Sequence, residues 1–386
     1  MINLLRPYLV IPKLIQQKTW GGEYISSKKG IQLDSNNSLK LGQSYELFSG
    51  SKLTLMNEGK QYEVGHPDRD EIDKELSIPI VEGISLFELS EINPEMALGT
   101  NVTKNGNAMP LLLKLTQAKG NSFQLHIKPG TSDPRWLSKS ETWYFFEKGK
   151  VTYGISRGIS VKDYKDACVL IDREMKEISQ LIVGQKLSVD EARIRANELT
   201  KKINPWQFVQ RRTAEVGQIF DLSQGGIHHS WEEDSLNSNG NILYEVQKDR
   251  MDPFSTIRAF DQGKIDDKGN IREVNIDDYF KYLDTSDELN MGSFSGKSDG
   301  LNNAFTTKDY AMDIIEFEKN VSDSTDASFC HYFVKNGRIK VETDEGWVTV
   351  ERGWSCFVPA AAANEVKIES LDDRATILKT YVPTKN

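Results

Sequence analysis

His126 stands in the run Phe-Gln-Leu-His-Ile at 123–127, whose composition reads as a β-strand. Gln124 and His126 are two residues apart, so on a strand they leave one face, while Phe123, Leu125 and Ile127 leave the other. A polar pair backed by an apolar trio is how a packed wall presents ligands to a cavity. Glu141 opens the next apolar run, and His228 follows a glycine-rich turn far downstream. A barrel can bring all four side chains to one interior. Two imidazoles, a carboxylate and an amide oxygen, with a coordination position left open, form the donor set of a catalytic zinc site, in which the vacancy takes substrate or water. Imidazole and carboxylate favour zinc, and cobalt or manganese could substitute. A lone histidine in a β protein is more often a packing residue, so the expectation rests on the four together. His229 falls on the face opposite His228 and reads as structural.

The elements that would hold these residues are short. From about Leu41 to Ile155 the chain alternates β-type runs with turn signals: LGQSYELF, ISLFEL, MPLLLKL, SFQLHI, TWYFFEK and VTYGI. Between Ser160 and Gln210 the period changes. Apolar residues at Tyr164, Val169, Ile171, Met175, Ile178 and Ile182 come near helical spacing, and Ser188 followed by Glu191 is a capping-box start for a second helix. Strand patterns return in VGQIFDL, NILYEVQK and STIRAF, so the helices interrupt a sheet domain. A polar, glycine-rich stretch over 284–303 reads as a linker, and DYAMDIIEFE, ASFCHYFVKNG, RIKVETDEGWVTVERG, WSCFVPA and ATILKTYV form a second β set. One punctuation occurs twice: Gly217, five residues, Ser223, then His228; Gly353, five residues, Pro359, then Asn364. The repeat implies two copies of one small barrel, only the first ending on a histidine. The expected organisation is mainly β: two jelly-roll domains with a helical insertion in the first. The metal-binding one covers 1–158 and 207–283, the insertion 159–206, and the second, metal-free one 284–386.

The composition is compatible with this and excludes much else. Hydrophobic residues at 38% and charged residues at 27% describe an ordinary globular chain. A formal net charge of -9 leaves no basic field for nucleic acid or anionic lipid, and a small-molecule substrate fits better. The cysteines, Cys168, Cys330 and Cys356, have no redox or metal spacing. Arg6, Pro7, Pro12 and Lys13 break any signal-peptide core, and no run of about 18 apolar residues occurs, so a cytoplasmic protein is expected.

The residues resemble those of type I mannose-6-phosphate isomerases, bicupins whose first cupin holds zinc through a Gln-x-His pair, the glutamate of a Lys-x-Glu step and the histidine of a Gly-x-x-His turn. Gln124-Leu-His126, Lys139-Ser-Glu141 and Gly225-Gly-Ile-His228 occur in that order. Trp20-Gly21-Gly22, Gly42 to Leu47, MPLLLKL, Glu245-Val-Gln247 and Thr256-Ile-Arg258 with Asp261 are similar to further family segments. The likeness spans about Trp20 to Asp261 and, more weakly, the carboxy-terminal cupin. Ser223 departs from the family's usual proline, a second histidine follows the ligand, the 231–240 loop is longer, and Glu245 and Arg258 stand further apart than usual.

The resemblance implies one zinc per chain and the interconversion of mannose 6-phosphate and fructose 6-phosphate through a zinc-stabilised cis-enediol. It implies catalytic roles for Glu245, Lys139 and Arg258. Glu245 would transfer the proton, since a partly buried carboxyl can titrate toward neutrality, or would merely pair with Lys139 or Arg258. Lys139 and Arg258 would be fixed cations for the enediolate or the phosphate. The rivals are a metal-dependent isomerase of another free or phosphorylated aldose, a cupin that binds a sugar without turning it over, and an iron oxygenase, which the neutral Gln124 disfavours. The oligomeric state, monomer or dimer, is left open.

Overall fold

The computed structural model describes residues 3–17, 19–31, 40–55, 62–65, 83–223, 225–231, 238–287, 290, 295–297 and 304–384. The expected linker at 284–303 lies largely outside these, as do Gln224 and most of the 231–240 loop. The described chain is mainly β, with four sheets. No helix among the described residues is long and apolar enough to cross a membrane.

Two compact units divide the chain: 1–117, 244–249 and 296–386 form one, and 118–243 with 250–295 the other. The strand Asn241–Lys248 passes from one to the other. The sequence-based division put 1–158 with the metal site, whereas the compact units group the first 117 residues with the carboxy-terminal segment. The physical reason is strand pairing: Tyr8 and Leu9 hydrogen-bond alongside Phe357 and Cys356. No local pattern reports a partner some 350 residues away.

The unit of 118–243 and 250–295 contains every expected ligand. Its five-stranded sheet runs in the order Val209–Ala214, Gly149–Ile155, His228–Ser230, Phe123–Leu125 and Ile257–Phe260. A second layer contains the antiparallel pair Glu141–Phe145 and Gln218–Asp221. Trp143, Phe145, Val151, Tyr153, Phe220, Leu222 and Leu243 pack together as a buried core. The other face of the five-stranded sheet is covered by helices: Phe123, Leu125, Ile127 and Ile257 pack with Tyr164, Cys168, Ile171, Met175 and Ile178.

Those helices are the insertion, Val161–Val183 and Val189–Ile203. Ser160 caps the first through Asp163 N–H at 3.1 Å, and Ser188 and Glu191 form the predicted capping box on the second. The buried stripe is Tyr164, Cys168, Ile171, Met175 and Ile178, steps of four and three that keep one face. Val169, placed in that stripe by sequence, is 46% exposed, because five residues past Tyr164 lies well off it. Each buried side chain of this stripe contributes about 1.5–3 kcal/mol. The insertion thus supports the sheet from behind the ligand face.

One expected strand is a helix. ISLFEL begins with the two-residue strand Ile84–Ser85 and continues as Leu86–Ile92. Ser85 accepts from Glu88 N–H while the Glu88 carboxylate accepts from Ser85 N–H, and this local closure overrides the apolar alternation.

In the other unit, 304–384 folds as two antiparallel layers, with Tyr8–Ile11, Lys52–Thr54 and Ile84–Ser85 extending one of them. The repeated turn glycines, Gly217 and Gly353, both have φ near +80° (81° and 82°), the left-handed conformation that favours glycine, and each precedes a strand as the repeat predicts. Asn364 is exposed.

Candidate metal centre

Strand register builds the site. Antiparallel neighbours that face each other across a ladder share a face. Gln124 lies opposite His228 on one side and Arg258 on the other, and His228 lies opposite Tyr153. The row Arg258, Gln124, His228, Tyr153 therefore crosses four strands on one face. His126 continues that face one step past the end of its strand, and Glu141 opens the strand Glu141–Phe145 as expected.

His126, Glu141 and His228 are all buried, and each offers one ligand atom within 4.8 Å of the other two. His126 Nε2 lies 3.0 Å from Glu141 Oε2, and the Lys139 ammonium reaches the same oxygen at 2.7 Å. Gln124 Nε2 donates to His228 Nε2 at 3.2 Å. Gln124 and Arg258 are part-exposed, so within this unit the cluster is open on their side.

The protonation states decide what the cluster can hold. Burial, then the Lys139 charge, pushes His126 down from its ordinary value, and burial, then His126, pushes His228 down to about 3. Both rings are neutral at physiological pH. Burial alone would raise Glu141, but the Lys139 ammonium beside it wins and holds the carboxyl well below the usual range. His126 Nδ1 lies 2.6 Å from the Ser255 carbonyl, an acceptor that takes the ring's one N–H. Nε2 is then a bare lone pair 3.0 Å from an ionised carboxylate oxygen. With that tautomer, imidazole nitrogen and carboxylate oxygen both turn lone pairs into one buried cluster, an arrangement that could hold a metal ion. With a second neutral imidazole and an amide alongside, the set suits zinc.

Neighbours hold the donors still. The Trp143 indole N–H donates to Glu141 Oε1 at 2.8 Å. Glu141 N–H donates to Ser223 Oγ at 3.0 Å, which ties the strand to the turn that leads to His228. At Gly225, with φ of 84°, a Cβ would meet Lys128 Cγ at 2.8 Å, and the turn before His228 therefore needs glycine.

No family model and no curated protein matches the sequence. Solved structures do. The fold is that of mannose 6-phosphate isomerases. The Bacillus subtilis mannose 6-phosphate isomerase superposes with a TM-score of 0.62 over 97% of this chain and 99% of its own, at 15% identity. The Salmonella typhimurium enzyme, solved with fructose 6-phosphate and zinc, gives 0.64 over 98% and 100%, at 13% identity.

The remaining expected residues are placed differently. Lys139 is buried against Glu141. Arg258 donates to Ser122 Oγ at 3.0 Å and to Asp252 at 2.6 Å. Glu245 forms a buried ion pair with Lys114. It belongs to the other unit, where it is buried with Lys114 Nζ at 2.7 Å and Thr116 Oγ1 at 3.2 Å. Sequence reasoning missed Trp143, Ser255 and Asp252. Trp143 was findable, since it stands two residues past Glu141 and so shares its face. The Ser255 carbonyl was not, because a backbone acceptor has no sequence signature.

His229 faces away, as expected. It is fully buried with its ring 4.6 Å from that of Phe123, and burial keeps it neutral.

Proposed function

We propose that this chain is a zinc-dependent aldose-ketose isomerase that interconverts mannose 6-phosphate and fructose 6-phosphate, with one zinc held by Gln124, His126, Glu141 and His228. The observation that carries the reading is the buried His126–Glu141–His228 cluster, whose ligand atoms lie within 4.8 Å of one another, with His126 Nε2 3.0 Å from Glu141 Oε2. When bound there, zinc would supply Lewis-acid polarisation of the sugar's carbonyl or hydroxyl oxygen.

The chain's own residues do the rest. Arg258, part-exposed beside Gln124, presents a guanidinium toward an anionic group of the substrate, and Asp252 fixes its direction. Lys139 keeps Glu141 ionised and adds a second positive charge at the cluster. The reaction also needs a group that carries the proton between C1 and C2, the role that the resemblance gives to Glu245. Such a step removes a proton from one carbon and returns it to the neighbour, with no redox partner. The fold shared with the mannose 6-phosphate isomerases supports a sugar phosphate substrate, and we place the protein in the cytoplasm.

A coupled assay on a panel of free and phosphorylated aldoses, with and without chelator, tests this. Mannose 6-phosphate should be the preferred substrate, zinc should be close to one per chain, and His126→Ala should lose both zinc and activity. Turnover of free mannose but not its phosphate would replace the substrate assignment, and full activity in chelator-treated, zinc-free protein would refute the mechanism.

A further inference from the structure

The two oxygens of Glu141 have different surroundings. Oε2 meets His126 Nε2 at 3.0 Å and Lys139 Nζ at 2.7 Å, so it points into the ligand cluster. Oε1 is occupied by the Trp143 indole N–H at 2.8 Å. The same indole meets the His228 ring edge-on, with centroids 5.5 Å apart and planes at 90°. One side chain therefore touches two of the three buried donors. Trp143 is itself buried and packed with Phe145, Val151, Phe220 and Leu222, which leaves it no other place to turn.

We infer that Trp143 is a positioning residue of the metal centre: by engaging Oε1 it makes Glu141 a one-oxygen ligand, and by its ring it fixes the plane of His228. The inference rests on the reading that the cluster holds zinc. A carboxylate with both oxygens free can chelate a cation and fill a position that substrate needs. A hydrogen bond from a rigid, buried donor withholds one oxygen, orients the other and keeps the coordination number low. The bland alternative is an indole that only fills the barrel core.

Trp143→Phe separates the two, because it keeps an aromatic ring against His228 and removes only the N–H and part of the volume. Zinc affinity, measured by competition with a chromophoric chelator, should fall about 10–100-fold. The visible spectrum of the cobalt-substituted variant should weaken and shift as the freed Oε1 joins the ion. Wild-type zinc affinity and an unchanged cobalt spectrum in Trp143→Phe would overturn the positioning role and leave the metal site standing. A wild-type protein that binds neither zinc nor cobalt would overturn the metal reading itself. Should the variant not fold, proton NMR of wild type decides. One exchangeable indole proton should be shifted by cobalt and not by zinc, and no such proton would overturn the inference.

Discussion

Replacing Lys139 with methionine should destabilise the metal-free protein far more than the zinc-loaded one. Lys139 Nζ lies 2.7 Å from Glu141 Oε2, with side chains 6% and 2% exposed, so the substitution leaves a buried carboxylate facing an imidazole lone pair. Breaking a buried ion pair from one side costs about 3–5 kcal/mol. Methionine keeps most of the stem's volume, so packing adds little. A divalent cation in the cluster supplies the missing positive charge, and the cost with zinc bound should fall to about 1 kcal/mol. For a unit of this size, each kcal/mol moves the midpoint by about 2–4 °C. The expected drop is about 6–20 °C in chelator and about 2–4 °C with zinc. Differential scanning calorimetry of wild type and Lys139→Met under both conditions measures it, following whichever transition responds to zinc, since two compact units need not melt in one step. Equal losses with and without zinc would refute the argument, because Glu141 would then not depend on a local cation.

Arg258→Ala removes a guanidinium held by Ser122 and Asp252 and should lower kcat/KM by about 10²–10³-fold with zinc content unchanged, while Arg258→Lys should fall between. Steady-state kinetics beside metal analysis checks this, and loss of zinc in Arg258→Ala would make the residue structural. Acid stability should depend on His331, whose burial pushes its pKa down to about 3. The unfolded chain takes that proton near pH 6.5, so the folded state excludes it. The stability His331 contributes is whole above pH 6.5 and is lost by about 1.4 kcal/mol per pH unit as the pH falls from there toward 3. Urea titrations of wild type and His331→Gln between pH 7 and pH 4, compared as a difference, should show that slope in wild type alone.

The His126, Glu141 and His228 cluster could be anticipated from the sequence because each part of the proposed ligand set obeys a local rule. Period two puts Gln124 with His126, a Gly-rich turn precedes His228, and Glu141 opens an apolar run. The capping box at Ser188 marked its helix for the same reason. What escaped was decided by distant partners. For Glu245 the sequence offered proton transfer or an ion pair, and nothing local pointed to Lys114, 131 positions away. The strand Tyr8–Ile11 pairs with Ser355–Val358, and so moves the amino-terminal segment out of the expected domain. ISLFEL failed at shorter range, where a side-chain cap outweighed an alternation of only a few residues.

The adjacent histidines at 228 and 229 show how narrowly the site is specified. On a strand of three residues, a slip of one position would turn His229 toward Gln124 and His228 into the helix-covered core. Both faces resist that slip. On the ligand side, His228 pairs in register with Gln124 and meets the edge of Trp143. On the other side, the His229 ring packs on Phe123, whose neighbours are Phe260 and the buried faces of the helices. The turn at Gly225 and the bond from Glu141 N–H to Ser223 then set where the strand begins. A candidate site on so short a strand takes its precision from packing on both sides of the sheet, and the helical insertion supplies one of those sides.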